Sequence, residues 1–401
     1  MKNIKQIFRY VMRYSKFIDY PLVITYIALC FIGLVMVYSA SMVAATKGSL
    51  TGGVPVSGSY FYTRQVMYVI IGFGIVFFMA FFMNVKILQV TKVQQGMIFV
   101  MFGLLLATLA IGQEINGSKS WINLGFMNLQ ASELLKIAMI LYVPYIIDRK
   151  KYEIRQRPQV IFPPIVLVGI CIGLVLMQKD VGQTLLITFI VFCILIYSGI
   201  GVKSVLKLGS VIMAGITAIL VFIFIFKINI LPKYLTARFS VIQDPFNYES
   251  GIGYHVANSL LAIGNGGLFG KGLGNSVMKL GYLPEPHTDF IFAVIGEELG
   301  LIGALVVITL IFFIVYRAFQ LAARTHSYFY KLVCVGIASY IGFQAFVNLG
   351  GISSLIPLTG VPLPYISFGG SSMLSLSIAM GLLLITAKQI KIEQYEAEQH
   401  K

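Results

Sequence analysis

The chain runs again and again for about 20 residues with almost no charge, the length that crosses a hydrocarbon core of about 30 Å as a helix. Few other folds tolerate this. Only helices and closed barrels satisfy their backbone inside lipid, and runs this long and unbroken are helical rather than alternating. The runs fall at 19–41, 64–84, 94–112, 130–147, 160–178, 182–200, 206–227, 289–316, 330–349 and 369–387. Composition agrees: of 401 residues 58% are hydrophobic and 11% charged, against roughly 25% charged in a soluble domain. The expected class is all-α, a polytopic membrane protein of about ten transmembrane helices. It is one membrane domain over 1–401, with tails at 1–18 and 388–401 and a long outer loop, 228–288, between the seventh and eighth spans.

The net charge of +15 invites a nucleic-acid reading that its distribution excludes. Lys2, Lys5, Arg9, Arg13 and Lys16 precede the first run; Lys86 and Lys92 follow the second. Arg149, Lys150, Lys151, Arg155 and Arg157 follow the fourth, Lys203 and Lys207 the sixth. Arg317, Arg324 and Lys331 follow the eighth; Lys388, Lys391 and Lys401 follow the last. These loops share one face, and the positive-inside rule makes that face, with both termini, cytoplasmic. The first run is too long for the apolar core of a signal peptide and reads as an uncleaved helix. The four cysteines fall inside spans and outline neither a disulfide framework nor a metal site.

The inner loops are short, so any chemistry belongs on the outer face. In the long loop "LPKYLTARFSVIQDPFNY" (231–248) alternates as an interfacial helix would, and "YHVANSLLAIGNGG" (254–267) has helical spacing ending in glycines. "GLFGKGLGNS" (267–276) fails as a phosphate loop, because Asn265 stands where a glycine is needed and Gly272 where Ser or Thr is. It reads as a glycine-rich turn.

Ionisable residues at membrane depth are costly and are candidates for function. Glu133 and Lys136 are three apart and share a helix face. Asp180 lies at the turn between the fifth and sixth spans. Glu297 and Glu298 lie inside the eighth, where they either pair structurally or line a polar cavity. Asp289, in "GYLPEPHTDFIF", admits two readings. It is a first-turn acid favoured by the helix dipole, with Thr288 as N-cap, or a carboxylate aimed by the two preceding prolines. Trp121, the only tryptophan, is an interfacial anchor or a surface on which a sugar stacks.

"VPLPYISFGGSS" (361–372), with Asn348 and "IPLTG" before it, resembles the signature of the SEDS family (shape, elongation, division and sporulation), which comprises FtsW, RodA and SpoVE proteins. "RFSVIQDPFNY", "GLFGKGLGNSVMKLGYLPEPHTDFIFAVIGEE" and "GSKSWINLGFMNLQASELLK" resemble further blocks of it in the same order, over essentially the whole chain. Ala131, Lys179 and Phe368 depart from the usual residues. The resemblance implies a ten-helix peptidoglycan glycosyltransferase that polymerises lipid II at the outer face of the bacterial cytoplasmic membrane, at the division septum. It implies that Asp289 is the catalytic carboxylate.

Inverting an α-linked lipid diphosphate to a β-1,4 glycan needs one base for the attacking hydroxyl and cations for the leaving group. The substrate-binding candidates are Trp121, Lys119, Arg64, Glu133, Lys136, Lys279, His287, Ser367 and Ser371, of which Arg64, Lys119, Lys136 and Lys279 are the cations for the diphosphate. No organic cofactor is expected; a divalent cation, Mg2+ or Mn2+, would suit the diphosphate. Expected partners are lipid II and the growing glycan, a class B penicillin-binding protein, other divisome membrane proteins and membrane lipids. A lipid II flippase and a non-catalytic scaffold are the rival classes.

Overall fold

The computed structural model describes residues 11–12, 14–115, 117–125, 127–200, 245–247 and 251–399. The expected span 206–227, the interfacial segment 231–244 and the basic residues Lys2, Lys5, Arg9, Arg13, Lys203, Lys207 and Lys401 lie outside them.

Among the described residues ten long helices carry the fold: α1 (Tyr20–Thr46), α2 (Tyr60–Phe82), α3 (Thr91–Ile111), α4 (Ala131–Arg149), α5 (Phe162–Met177), α6 (Val181–Tyr197), α7 (Gly251–Gly266), α8 (Ile291–Arg324), α9 (Tyr328–Ile352) and α10 (Gly370–Gln399). Seven of the described helices are long and apolar enough to cross a membrane. α6 is a shorter apolar helix, and α4 carries Glu133 and Lys136 in its first turns. Nine of the ten expected spans therefore have a helix, and α7 is the expected helix inside the outer loop. The protein is a polytopic helical membrane protein. The segment joining α3 to α4 forms a small antiparallel sheet: β1 (Gln113–Ile115), β2 (Ser118–Asn123) and β3 (Asn128–Gln130), in the order β1-β2-β3. Three short strands give no apolar run, so nothing in hydropathy announces them.

α9 and α10 are the central helices, 78% and 83% buried over their most apolar windows, against 28% for α3 and α8. α10 packs on α2, α9 on α8, α6 and α4, and α7 on α8. At one end of the bundle, long cationic side chains satisfy exposed backbone and acids. Arg317 pairs with Asp19 at 2.8 Å, and Lys391 donates to the carbonyl of Ile18 at 2.8 Å. The start of α1 and the end of α10 thus meet at the same end of the molecule. α10 also runs to Gln399 as continuous helix, so the expected tail from 388 is an extension of the last helix.

α8 is not one continuous rod. Gly300 sits at φ 68°, ψ −166° inside it, in a region that side-chain-bearing residues avoid. Glycine permits the break, and the loop before α8 satisfies the groups it frees. Lys271 and Gly272 N–H donate to the carbonyls of Glu297 and Glu298 at 2.9 and 3.0 Å, and Leu301 N–H donates to that of Gly267 at 2.9 Å.

Candidate active site

Asp289 does not lie in the first turn of a helix. α8 begins at Ile291, its N-cap is Phe290, and no side chain caps it. Thr288 is not an N-cap either; its hydroxyl donates to the carbonyl of Glu285 at 3.1 Å. The dipole-and-cap account of Asp289 therefore fails, and so does the angular relation to Glu297 and Glu298 that a continuous helix would impose. The acid sits on a turn, and the turn is gripped from behind.

Three consecutive carbonyls make that grip. His287 O accepts from Phe368 N–H at 2.9 Å, Thr288 O from the Ser367 hydroxyl at 2.7 Å, and Asp289 O from Asn348 Nδ2 at 2.9 Å. Asn348 also donates to Val361 O at 2.9 Å, and Ser367 accepts from Leu363 N–H at 2.8 Å. The Pro-Glu-Pro turn and the Pro-rich outer loop 353–369 are thus one hydrogen-bonded unit. The backbone carries strain on both sides: Glu285 at φ 45° and Tyr365 at φ 65°, conformations that persist only where surroundings impose them. Gly360, at φ 71°, lies beside the carboxylate; a Cβ there would stand 3.3 Å from Asp289 Oδ2.

His287 is 2% exposed and packs between Phe61 and Phe368, ring centroids 4.3 and 5.3 Å away. Burial drops its pKa to about 3, so the imidazole is neutral across the physiological range and supplies no cation. Its Nε2 stands 3.8 Å from Glu285 Oε2, and burial raises the Glu285 carboxyl. Phe61 belongs to the first turn of α2. One turn on, Gln65 donates to Ser367 O at 3.3 Å. Arg64, between them in sequence, is half-buried and stacks on the Tyr60 ring at 4.2 Å.

The other expected cations are committed elsewhere. Lys119 Nζ donates to the carbonyls of Leu109 and Ala110 at 2.8 and 3.1 Å, closing the C-terminus of α3. Lys279 is 4% exposed and pairs with Glu298 at 2.6 Å. Lys136, fully buried, pairs with Glu133 at 2.8 Å and donates to Gln344 at 3.1 Å. In this structure each of the three ammoniums already neutralises an acid or closes a helix end. Arg64 is the expected cation next in sequence to Gln65, which bonds the loop that holds Asp289.

Glu133 is fully buried, and its carboxylate is filled by Lys136, Gln183 at 3.0 Å, Tyr340 at 3.1 Å and Ser375 at 2.6 Å. The same network reaches the outer loop, because Gln344 donates to Pro362 O at 2.9 Å. Asp180 is the N-cap of α6, accepting from Gln183 N–H at 3.3 Å and from Gln130 at 2.7 Å; burial raises its pKa while those two bonds oppose the rise. Lys179 before it has φ 60°, closed to the proline usual in the resembling family.

Trp121 lies half-buried in β2 opposite Gln130. Ser371 ties the sheet to α10, accepting from Gln130 N–H at 3.0 Å and donating to Asn128 O at 2.8 Å. Glu297 and Glu298 pair structurally, Glu297 with Lys271 at 3.0 Å and the Ser276 hydroxyl at 2.5 Å. Among the described residues no group of three His, Cys, Asp or Glu side chains gathers to hold a metal. Sequence reasoning passed over Gln65 and Phe61, whose roles arise from contacts across more than 200 residues of chain, and Gly360, which meets Asp289 from 71 residues away.

Residues 20–392 match the family model for the cell cycle protein family FTSW_RODA_SPOVE. The chain is 41% identical over 378 residues to a probable peptidoglycan glycosyltransferase FtsW of Bacillus subtilis, covering 94% of this chain and 92% of that one. It is 35% identical to the similarly named protein of Enterococcus hirae, covering 95% of each. Among solved structures, it resembles a chain from a study of how a peptidoglycan synthase complex coordinates polymerization and crosslinking. The TM-score is 0.70 at 25% identity, covering 93% and 98% of the two chains. It also resembles the rod shape determining protein RodA of Thermus thermophilus, with TM-score 0.65 at 25% identity, covering 93% and 97%.

Proposed function

The chain belongs to the FtsW/RodA/SpoVE family of cell cycle proteins and is a peptidoglycan glycosyltransferase, and on that premise we propose that it polymerises lipid II with Asp289 as general base. Asp289 takes the proton of the acceptor sugar's 4-hydroxyl as that oxygen attacks the donor's anomeric carbon from the face opposite the lipid diphosphate. The C1–O bond to the diphosphate breaks, the configuration inverts, and undecaprenyl diphosphate leaves. The observation that carries this reading is the grip on the carbonyls of residues 287–289. It fixes the backbone from which one carboxylate projects, the kind of pre-positioning that proton transfer requires.

Arg64 serves the departing diphosphate, its guanidinium held ready by the Tyr60 ring, as a planar fork suited to phosphate oxygens. Magnesium typically binds through one or two carboxylates plus substrate phosphates, so a divalent cation here would arrive with the diphosphate and Asp289 would be its protein ligand. It would supply charge neutralisation at the leaving group. His287, Ser367 and Ser371 position the loops around the substrate, and Trp121 offers a ring face at the outer surface. The domain is one membrane unit with both termini cytoplasmic, working at the division septum with a single-span class B penicillin-binding protein and other divisome membrane proteins.

A flippase would need a polar path. The buried acids here are spent on neighbouring lysines, hydroxyls and amides, which favours a scaffold role for them. The test is polymerisation of purified lipid II by the purified protein, with and without its transpeptidase partner. Wild type is expected to yield glycan and Asp289→Asn none, at equal folding and insertion. Glycan from the Asn variant at wild-type rates would overturn the assignment, and translocation of lipid II without product would favour the transporter.

A further inference from the structure

We infer that Asn258 and Ser259 of α7 are positioning residues for Asp289, an inference that rests on Asp289 being the base. The grip on the carbonyls of residues 287–289 comes from α9 and the loop after it, yet α7 reaches the chain just ahead of both halves of that grip. Asn258 Nδ2 donates to the carbonyl of Tyr282 at 3.1 Å, two residues before the Pro-Glu-Pro turn. Ser259 Oγ donates to the carbonyl of Ile352 at 2.6 Å. Ile352 is the last residue of α9, and the gripping loop 353–369 starts after it.

The two side chains are neighbours on the helix, about 100° apart, and both are buried, Asn258 6% and Ser259 0% exposed. Docking of α7 does not call for them. α7 buries Val256, Ala257 and Ala262 and closes on α8 through two glycines. A Cβ on Gly266 would stand 1.9 Å from Gly296 O, and one on Gly296 would stand 3.2 Å from Ile263 Cγ1. Gly296 lies in the opening turns of α8, directly after Asp289. α7 therefore holds the chain before Asp289, the helix after it, and the root of the loop that grips it. The apolar contacts dock the helix; the amide and the hydroxyl set which carbonyls it meets.

A turn needs both ends held. Within 284–289 the backbone is closed by the Thr288 N–H bond to Glu285 O at 3.1 Å, and Glu285 stands at φ 45°, a conformation that persists only where surroundings impose it. The bonds to the carbonyls of His287, Thr288 and Asp289 hold the far end of this turn. Asn258 holds the near end through Tyr282, and Ser259 fixes where the gripping loop leaves α9. Ser259 also has an acceptor in its own helix, Val256 O at 2.8 Å, so the hydroxyl keeps one bond when the other is lost. Losing either tie leaves the far grip in place and lets the turn pivot about it, which moves the carboxylate without unfolding the bundle.

The test compares Asn258→Ala, Ser259→Ala and the double variant with wild type, each as the full chain in lipid nanodiscs. Hydrogen exchange is followed in peptides spanning 284–290 and 362–370, where the amides of Thr288 and Phe368 report the turn and its grip. Both segments are expected to exchange several-fold faster in the double variant, with peptides of α3 and α5 unchanged. Polymerisation of lipid II is expected to show kcat about tenfold lower at unchanged KM, with each single variant between the double and wild type. Unchanged exchange in both segments would overturn the inference, and so would faster exchange spread evenly over the chain, the mark of a merely structural loss. Local loosening with kcat intact would overturn the positioning role. Wild-type activity in Asp289→Asn would remove the base assignment, and the exchange rates would still decide whether α7 holds the turn.

Discussion

Glu133 sits in the first turn of α4 and Asp289 on the turn before α8, and the two carboxylates are held in different ways. Glu133 has its oxygens filled by Lys136, Gln183, Tyr340 and Ser375 and no exposure at all. Asp289 is half-buried and held through its main chain, with Gly360 kept bare beside its oxygen. A carboxylate whose hydrogen bonds are saturated by side chains can organise a core but has no reason to take a proton. One whose main chain is gripped at three successive carbonyls is placed by its backbone. The core acid and the proposed base therefore differ in how they are held, a difference that depth and charge alone do not show.

The sharpest way to break the contrast is to neutralise each acid. Asp289→Asn is expected to cost a factor of about 10²–10⁴ in glycan synthesis with no change in thermal stability, read by polymerisation assay and unfolding in the same detergent. Glu133→Ala is expected to act the other way round. It leaves the Lys136 ammonium buried with Gln344 as its remaining hydrogen-bond acceptor, at a cost of about 3–5 kcal/mol of stability. The double variant Glu133→Ala/Lys136→Met should recover much of that loss, because a removed pair leaves no orphan charge. If Glu133→Ala folds normally and only activity falls, Glu133 belongs to the chemistry and the contrast collapses.

Two substitutions then probe the grip itself. Asn348→Ala strips a donor from the carbonyls of Asp289 and Val361, leaving buried acceptors at about 1–3 kcal/mol. A fall in kcat of about tenfold at unchanged KM is expected if the loss appears as misdirection of Asp289, since a tenfold change corresponds to about 1.4 kcal/mol. Gly360→Ala is milder. Forcing a side chain into the left-handed region costs about 1–2 kcal/mol, and Gly52→Ala, at φ 66° with open space around it, should cost the same. Only the Gly360 variant brings a methyl against Asp289, so only it should lose activity beyond its loss of stability. Equal activity in the two would show that the carboxylate does not need the space.

Much of the fold was readable because hydropathy over about 20 residues is a strong signal. Nine of the ten spans, the Asp180 turn, the helix at Gly251–Gly266 and the Glu133–Lys136 pair stand where spacing put them, and the span 206–227 lies outside the described residues. What spacing could not give was the partner of each polar group. Lys119 reads as a free outer cation until the end of α3 is seen against it, and Thr288 reads as a cap until the helix is seen to start at Ile291. Asp289 was legible from its proline-braced surroundings and its family resemblance. The grip that aims it was not, since its donors come from positions 348, 367 and 368. The break in α8 was hidden for the same reason: a lone glycine in an apolar run costs about 1 kcal/mol in a helix and rarely ends one. The loop that satisfies the break lies about 30 residues upstream of it.

His287 gives no effect at neutral pH and a dependence on pH below it. Its pKa is about 3 in the folded protein, against about 6.5 for an unperturbed imidazole. Between those values the unfolded chain binds a proton that the folded chain does not, so stability falls as pH drops through that window and is flat above it. The slope for one such group is about 1.4 kcal/mol per pH unit, or about 2 kcal/mol from pH 7 to pH 5. His287→Gln should remove this slope while keeping a polar ring-sized neighbour for Phe61 and Phe368, and unfolding temperatures of both proteins across that range measure it. The contrast is sharpened if acid also loosens the turn before it unfolds the bundle. Activity at pH 5 would then recover in His287→Gln relative to wild type, because the imidazole sits two residues from Asp289 and shares its grip through the Phe368 N–H bond to His287 O. A slope that survives the substitution would mean that another group carries the acid sensitivity, and that the aromatic pocket does not report on the carboxylate.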